Sequence, residues 1–183
     1  MTDVGFCLFE TAIGPCGIAW GERGVVLVQL PEADAERTRG RVRRRRPGAV
    51  EAPPPAPVAQ AIADITALLR GDQVDLTGVE LDMDDLPEFN RRLYEAARTI
   101  PAGRTLTYGE LAARLGEPGD ARVVGEAMGR NPFAIVVPCH RVVAAGGKLG
   151  GFSAGGGATT KQRMLAIERA RPAGTPDLFD ALG

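Results

Sequence analysis

Residues 105–143 read TLTYGELAARLGEPGDARVVGEAMGRNPFAIVVPCHRVV, and this stretch decides the fold. Thr107 stands where a cap begins a short helix carrying Leu111 and Leu115, and a Gly-Glu-Pro-Gly turn follows. Asp120 is placed to cap a second helix, which Gly129, Asn131 and Pro132 end. Two short helices about such a turn outline a helix-turn-helix. Leu111, Leu115 and Val124 would serve equally well in any pair of packed helices, so the pattern alone leaves DNA binding and plain core packing both open.

The segment that follows adds chemistry. Phe133 to Val137 reads as a buried strand, then come Pro138, Cys139, His140 and Arg141, then the β-branched pair Val142 and Val143. The thiolate is the reactive form of cysteine, so a nucleophilic Cys139 needs a base and a cationic or polar setting, which His140 and Arg141 can supply. Neighbours on an extended chain point to opposite sides, so His140 can serve the sulfur only through a turn, which Pro138 favours, or through a bridging water. An inert buried thiol beside a core histidine is the competing reading of the same residues.

Upstream, EFNRRLYEAARTI from Glu88 places Phe89, Leu93, Ala96, Ala97 and Ile100 on one helical side. Pro87 marks a boundary between residues 1–86 and 87–183. The first part opens with apolar, alternating runs broken at Gly21 to Gly24, as in a hairpin-rich sheet. The arginine block (Arg43–Arg46) could extend a helix begun at Glu32, but Pro47 and Pro53 to Pro57 cannot continue one, so the block and the proline cluster read as a surface connection near 37–57. Val58, Ile62, Ile65, Leu68 and Leu69 make a helical stripe ending at Gly71, and VDLTGVELDM (74–83) reads as a strand or strand pair. The fold class expected is an α/β N-terminal domain followed by a mostly α C-terminal domain with a helix-turn-helix.

Composition narrows the functions. The 183 residues are 44% hydrophobic with no apolar run long enough to cross a bilayer. The N-terminus has an acid where a secretory signal carries basic charge, so a cytoplasmic protein is expected. Three cysteines and one histidine make neither an even disulfide framework nor a closed zinc site. A net charge of −1, from 22 basic and 23 acidic residues, does not exclude DNA, because groove binding depends on the local patch.

The string NPFAIVVPCHRVV, preceded by ARVVGEAMGRN and TLTYGELAARLG, resembles the O6-alkylguanine-DNA alkyltransferase (methylated-DNA–protein-cysteine methyltransferase) family. The resemblance runs from Pro87 to about Glu168; the N-terminal half agrees in size and α/β character, where the family is ribonuclease H-like. It implies direct-reversal repair of DNA, with the alkyl group of O6-alkylguanine passing irreversibly to Cys139 in a single turnover, and O4-alkylthymine as a second candidate substrate. It implies that Cys139 accepts the alkyl group, that His140 takes its proton through water, that Glu168 orients His140, and that Asn131 braces the turn.

Arg122 matches the finger that enters the base stack, and Tyr108 the tyrosine beside the target phosphate that donates to the base. Ala121, Gly125, Ala127 and Gly129 would sit at a minor-groove interface with double-stranded DNA. Tyr108, Pro138, Val142, Leu149, Gly150, Phe152 and Ser153 would line the alkylguanine pocket. No cofactor, metal or membrane is implied, and a monomer, acting singly or cooperatively on DNA, is expected.

The same logic stands on the chemistry: an O6-alkyl carbon is shielded in a stacked duplex, so the base must be extruded before a thiolate can attack it. This chain departs from the family pattern at Tyr94, where tryptophan is usual, at Phe152, where tyrosine is common, and in a longer glycine-rich loop after Ser153. A lesion sensor would have replaced the cysteine, a Cys-His hydrolase would need an oxyanion hole, and a transcriptional regulator would leave Cys139 and His140 unexplained.

Overall fold

The computed structural model describes residues 4–116, 120–147 and 157–170. Strands β1 (Gly5–Thr11), β2 (Gly14–Gly21) and β3 (Gly24–Gln29) form consecutive antiparallel hairpins, and the two-residue β4 (Val50–Glu51) joins β1 in parallel, giving the order β3-β2-β1-β4. Gly24 has φ +134, and a side chain there would meet the Glu80 carbonyl 2.6 Å away, where Val25 donates its N–H to that same oxygen at 2.9 Å. The glycine is needed for both its conformation and its bareness.

The arginine block is helical, which corrects the expected surface connection over its first half. Helix α1 (Ala35–Arg45) starts at Asp34, whose carboxylate accepts from the Arg37 N–H, and buries Thr38 and Val42 one turn apart. The apolar neighbours of Val42 across the sheet, Phe6, Ala19 and Leu27, outweigh the mutual repulsion of the arginines. Helix α2 (Ala56–Leu69) follows with Pro57 in its first turn, where a missing N–H costs nothing, and Gly71 takes φ +104 just past its end.

The expected strand at 74–83 is absent apart from a single bridge between Leu81 and Val25. Its backbone is satisfied differently: Asp75 accepts from the Thr77 N–H, and the Arg98 guanidinium donates to the carbonyls of Leu76, Thr77 and Val79. A side chain in place of a partner strand fixes an irregular path.

Helix α3 (Glu88–Arg98) begins after Pro87 and buries Leu93, Tyr94 and Ala97. Beyond it lie β5 (Leu106–Thr107), α4 (Tyr108–Arg114), α5 (Ala121–Gly129), β6 (Val142–Val143) and α6 (Gly157–Ile167). The chain thus has a sheet-rich N-terminal region and a helical C-terminal region, as expected. One apolar cluster runs across both: Ile18, Trp20 and Val28 share it with Tyr94, Phe133 and Met164, and Val28 donates its N–H to the Pro132 carbonyl at 2.9 Å. Among the described residues no helix is long and apolar enough to cross a membrane.

Candidate active site

Helix α4 packs on α5, as the helix pair read from the sequence requires. Thr107 and Glu110 form a reciprocal capping box, so the start of α4 is fixed locally. Asp120 precedes α5 but makes no side-chain cap. Val124, Ala127 and Met128 of α5 face the core, while Arg122, Val123, Glu126, Gly129 and Arg130 face outward. Arg122 is 92% exposed and pairs with Glu126 at 3.4 Å.

One of the expected interface positions, Ala127, is corrected by this placement. Ala127 is buried and its carbonyl accepts from the Tyr94 hydroxyl at 2.8 Å, so its side chain is unavailable to a partner. Gly125 faces Tyr108, whose ring a side chain there would meet at 4.0 Å. Ala121 is half-buried and Gly129 exposed.

The segment Phe133–Val137 is buried but is not the strand expected. Only Phe133 makes a bridge, to Val28, and Ile135 takes φ +74. The cause is Asn131: its amide donates to the Val137 carbonyl and its oxygen accepts from the Phe133 N–H, both at 2.8 Å, drawing the ends of the segment together. The Cys139 N–H then donates to the Val137 carbonyl at 2.8 Å, and Cys139–Arg141 form one tight 3₁₀ turn after Pro138. Parallel pairing of Leu106 with Val142 and of Thr107 with Val143 seats Tyr108 beside this turn.

Within the turn the three side chains do different things. Cys139 is half-buried and its thiol is raised by burial, an effect opposed by the Asn131 side chain, the Lys161 cation and the backbone N–H groups of Cys139 and His140. His140 is fully buried, and burial lowers its pKa despite Glu168. Its Nε2 lies 2.8 Å from Glu168 Oε1, and its Nδ1 meets no hydrogen-bond partner among the described residues. Burial alone would raise Glu168, but its contacts with His140 and Arg141 hold it at about 2. An ionised Glu168 accepts a hydrogen bond from the Nε2–H, so the neutral ring carries its lone pair on Nδ1.

Arg141 does not serve the thiol, as the sequence suggested. It forks onto Glu168 at 2.9 and 2.7 Å and donates to the Ile100 carbonyl at 2.7 Å. The cation near the sulfur is instead Lys161, which sequence reasoning missed. It is fully buried, donates to the Val142 carbonyl at 2.7 Å and lies 5.9 Å over the Tyr108 ring. Burial lowers its pKa and Cys139 raises it, while burial pushes Tyr108 upward. The spacing of Lys161, Met164 and Glu168 along one helical side was the available signal: two charges flanking an apolar position.

Burial raises the other thiols, Cys7 and Cys16, as it does Cys139, with Cys16 pushed up to about 12, but among the described residues no cation opposes it there as Lys161 does at Cys139. Pro138 and Val142 are buried next to Cys139; Leu149, Gly150, Phe152 and Ser153 lie outside the described residues. Among the described residues no group of three metal-ligating side chains gathers.

Residues 88–170 match the family described as 6-O-methylguanine DNA methyltransferase, DNA binding domain. The chain is 47% identical over 126 residues to the methylated-DNA–protein-cysteine methyltransferase of Mycolicibacterium paratuberculosis, spanning 69% of this chain and 74% of that protein. It is 35% identical to the protein of the same name from Methanothermobacter thermautotrophicus, over 83% of this chain and 78% of the other. Among solved structures, Mycobacterium tuberculosis OGT in complex with DNA superposes with a TM-score of 0.72 at 34% identity, covering 92% of this chain and 96% of that one.

Proposed function

Because the chain belongs to the methylated-DNA–protein-cysteine methyltransferase family, we propose that it repairs alkylated DNA by taking the alkyl group from O6 of guanine onto Cys139, once per molecule. The observation that carries the reading is the buried line from Arg141 through Glu168 to His140, ending at an Nδ1 lone pair in the turn that holds the thiol.

His140 accepts the Cys139 proton through a bridging water. The thiolate sulfur attacks the alkyl carbon in line with O6, the carbon–oxygen bond breaks, and the electron pair stays on the guanine. Tyr108 donates to the guanine ring as that charge develops, and the proton held by His140 restores the balance through solvent. The products are a thioether and intact guanine. Lys161 steadies the thiolate by charge, and Asn131 holds the turn that presents it. The thioether has no leaving group at neutral pH, so turnover ends there.

Duplex DNA is held from its minor groove along the outward side of α5, with Arg122 filling the space of the extruded base and Ala121 and Gly129 near the backbone. O4-alkylthymine is the second substrate to test. Residues 87–183 supply both surfaces and residues 1–86 buttress them, in a monomer working in the cytoplasm. Incubation with duplex DNA containing O6-methylguanine, followed by mass spectrometry, tests the reading: one CH₂ is gained on the Cys139 peptide, and gain elsewhere or nowhere overturns it.

A further inference from the structure

Between Glu32 and Glu51 seven arginines face four acids, a surplus of three positive charges in a chain of net charge −1, so the remainder carries −4. Helix α1 concentrates that surplus, and the fold uses only part of it. Arg39 pairs with Glu36 and Glu51, Arg45 donates to Gln29, Arg46 to the Val26 carbonyl, and Arg43 lies over the Phe6 ring. Arg37, Arg41 and Arg44 point outward at i, i+4 and i+7, about 6 and 10 Å along one helical side.

Three features set this side apart from an ordinary solvated one. The partners of Arg37 and Arg41, Asp34 and Glu32, stand at 3.8 and 4.0 Å, too far for well-formed hydrogen bonds, and the arginine side chains are 71% and 44% exposed. Gly40 sits mid-helix between them, where glycine costs about 1 kcal/mol against alanine. Among the described residues nothing calls for it: a side chain there would meet the Arg44 guanidinium alone, at 3.5 Å. The charges also crowd one another, since Arg45 is lowered by burial and then by Arg41 and Arg46. A helix that carries repulsion and a bare glycine on one side is suited to a long, narrow polyanion approaching closely.

Helix α1 covers the face of the sheet lined by Phe6, Ala19 and Leu27, whereas the opposite face, with Ile18, Trp20 and Val28, joins the core around Phe133 and Tyr94. DNA lying along α5 is therefore on the other side of the sheet from these arginines. We propose that Arg37, Arg41 and Arg44 about Gly40 form a second nucleic-acid site, which grips the phosphodiester backbone of a DNA segment other than the one under repair. Planar guanidinium forks match phosphate geometry, and three of them on one rigid helix match successive backbone charges better than any single small anion. The proposal takes from the function above only that the protein works on DNA.

The test replaces Arg37, Arg41 and Arg44 together by glutamine and, in a second protein, by lysine. Native protein carrying a short lesion-bearing duplex retains a second, labelled, unmodified duplex; the glutamine protein does not, and the lysine protein does so in part. The salt slope of binding to long unmodified duplex falls by about 2–3 in the glutamine protein, at about 0.9 per lost phosphate contact. Alkyl transfer to the short duplex and to free O6-benzylguanine stays native, and melting is no lower, which separates this result from failure of the repair reading. Equal salt slopes and equal capture of the second duplex overturn the proposal. So does native protein that ignores the second duplex but binds polyglutamate through these arginines, which would make the face a site for an acidic protein.

Discussion

His140 Nε2 lies 2.8 Å from Glu168 Oε1, 28 residues away in sequence, and both side chains are almost wholly withdrawn from water. Two buried groups at that distance are tolerated because Arg141 neutralises the carboxylate from its other side. The consequence is an imidazole held neutral with its accepting nitrogen fixed, which is what a base for a neighbouring thiol requires.

Glu168→Gln keeps a hydrogen-bond partner for His140 but removes the charge that fixes the tautomer, so the transfer rate falls by about ten-fold or more. Single-turnover kinetics across neutral pH measure it; an unchanged rate removes Glu168 from the relay.

The same carboxylate sets acid stability. Its folded pKa of about 2 lies below the ordinary 4.5, so the stabilisation it lends is complete above 4.5 and is lost as pH falls toward 2. The loss amounts to about 3 kcal/mol at most. His140 adds to it in the same direction, because a histidine lowered by burial must charge on unfolding and disfavours the fold below its ordinary 6.5. Urea unfolding of native and Glu168→Gln proteins at stepped pH should show a steeper drop between 4.5 and 2 in the native protein, the His140 contribution being common to both; equal drops would show that Glu168 lends no such stabilisation.

Cys139→Ser abolishes transfer and leaves binding to alkylated duplex largely intact, since recognition rests on α5 and the pocket. Gel shifts and mass spectrometry read the two quantities separately. Methylated serine, or methylated Cys7 in native protein, would sink the assignment of Cys139.

Lys161→Met removes the cation that lowers the Cys139 thiol, so the thiol moves further up and the rising limb of reaction with iodoacetamide shifts to higher pH. Transfer slows in parallel. A limb that stays in place would show that Lys161 does not act on the thiol.

Arg122→Ala lowers transfer on duplex DNA more than ten-fold, about 1.4 kcal/mol or more, while reaction with free O6-benzylguanine stays near native. Stability is unchanged, because its contact with Glu126 is an exposed ion pair. An abasic site opposite the lesion, which eases extrusion, rescues the variant in part; equal losses on free base and duplex would end the finger role.

Local sequence by itself determined the elements whose instructions lie within a few residues. The Thr107 and Glu110 box starts α4, Gly71 ends α2, the Gly21 to Gly24 turn joins β2 to β3, and the PCHR string marks the thiol and its histidine. What only the tertiary structure decided depends on partners far along the chain. Residues 74–83 look like a strand, but Arg98 takes three of their carbonyls; Phe133–Val137 looks like a strand, but Asn131 folds it. The arginines of α1 could belong to a helix or a connection until Val42 finds Phe6 and Leu27, and Ala127 looks like surface until it packs into the core cluster. Which cation serves the sulfur was likewise undecidable locally: Arg141 is adjacent but is drawn off by Glu168, and Lys161 arrives from α6. Capping and turn formation are short-range hydrogen bonding, readable from neighbouring residues, whereas burial assigns each charge the partner that best offsets its lost hydration, and that partner is known only once the chain has folded.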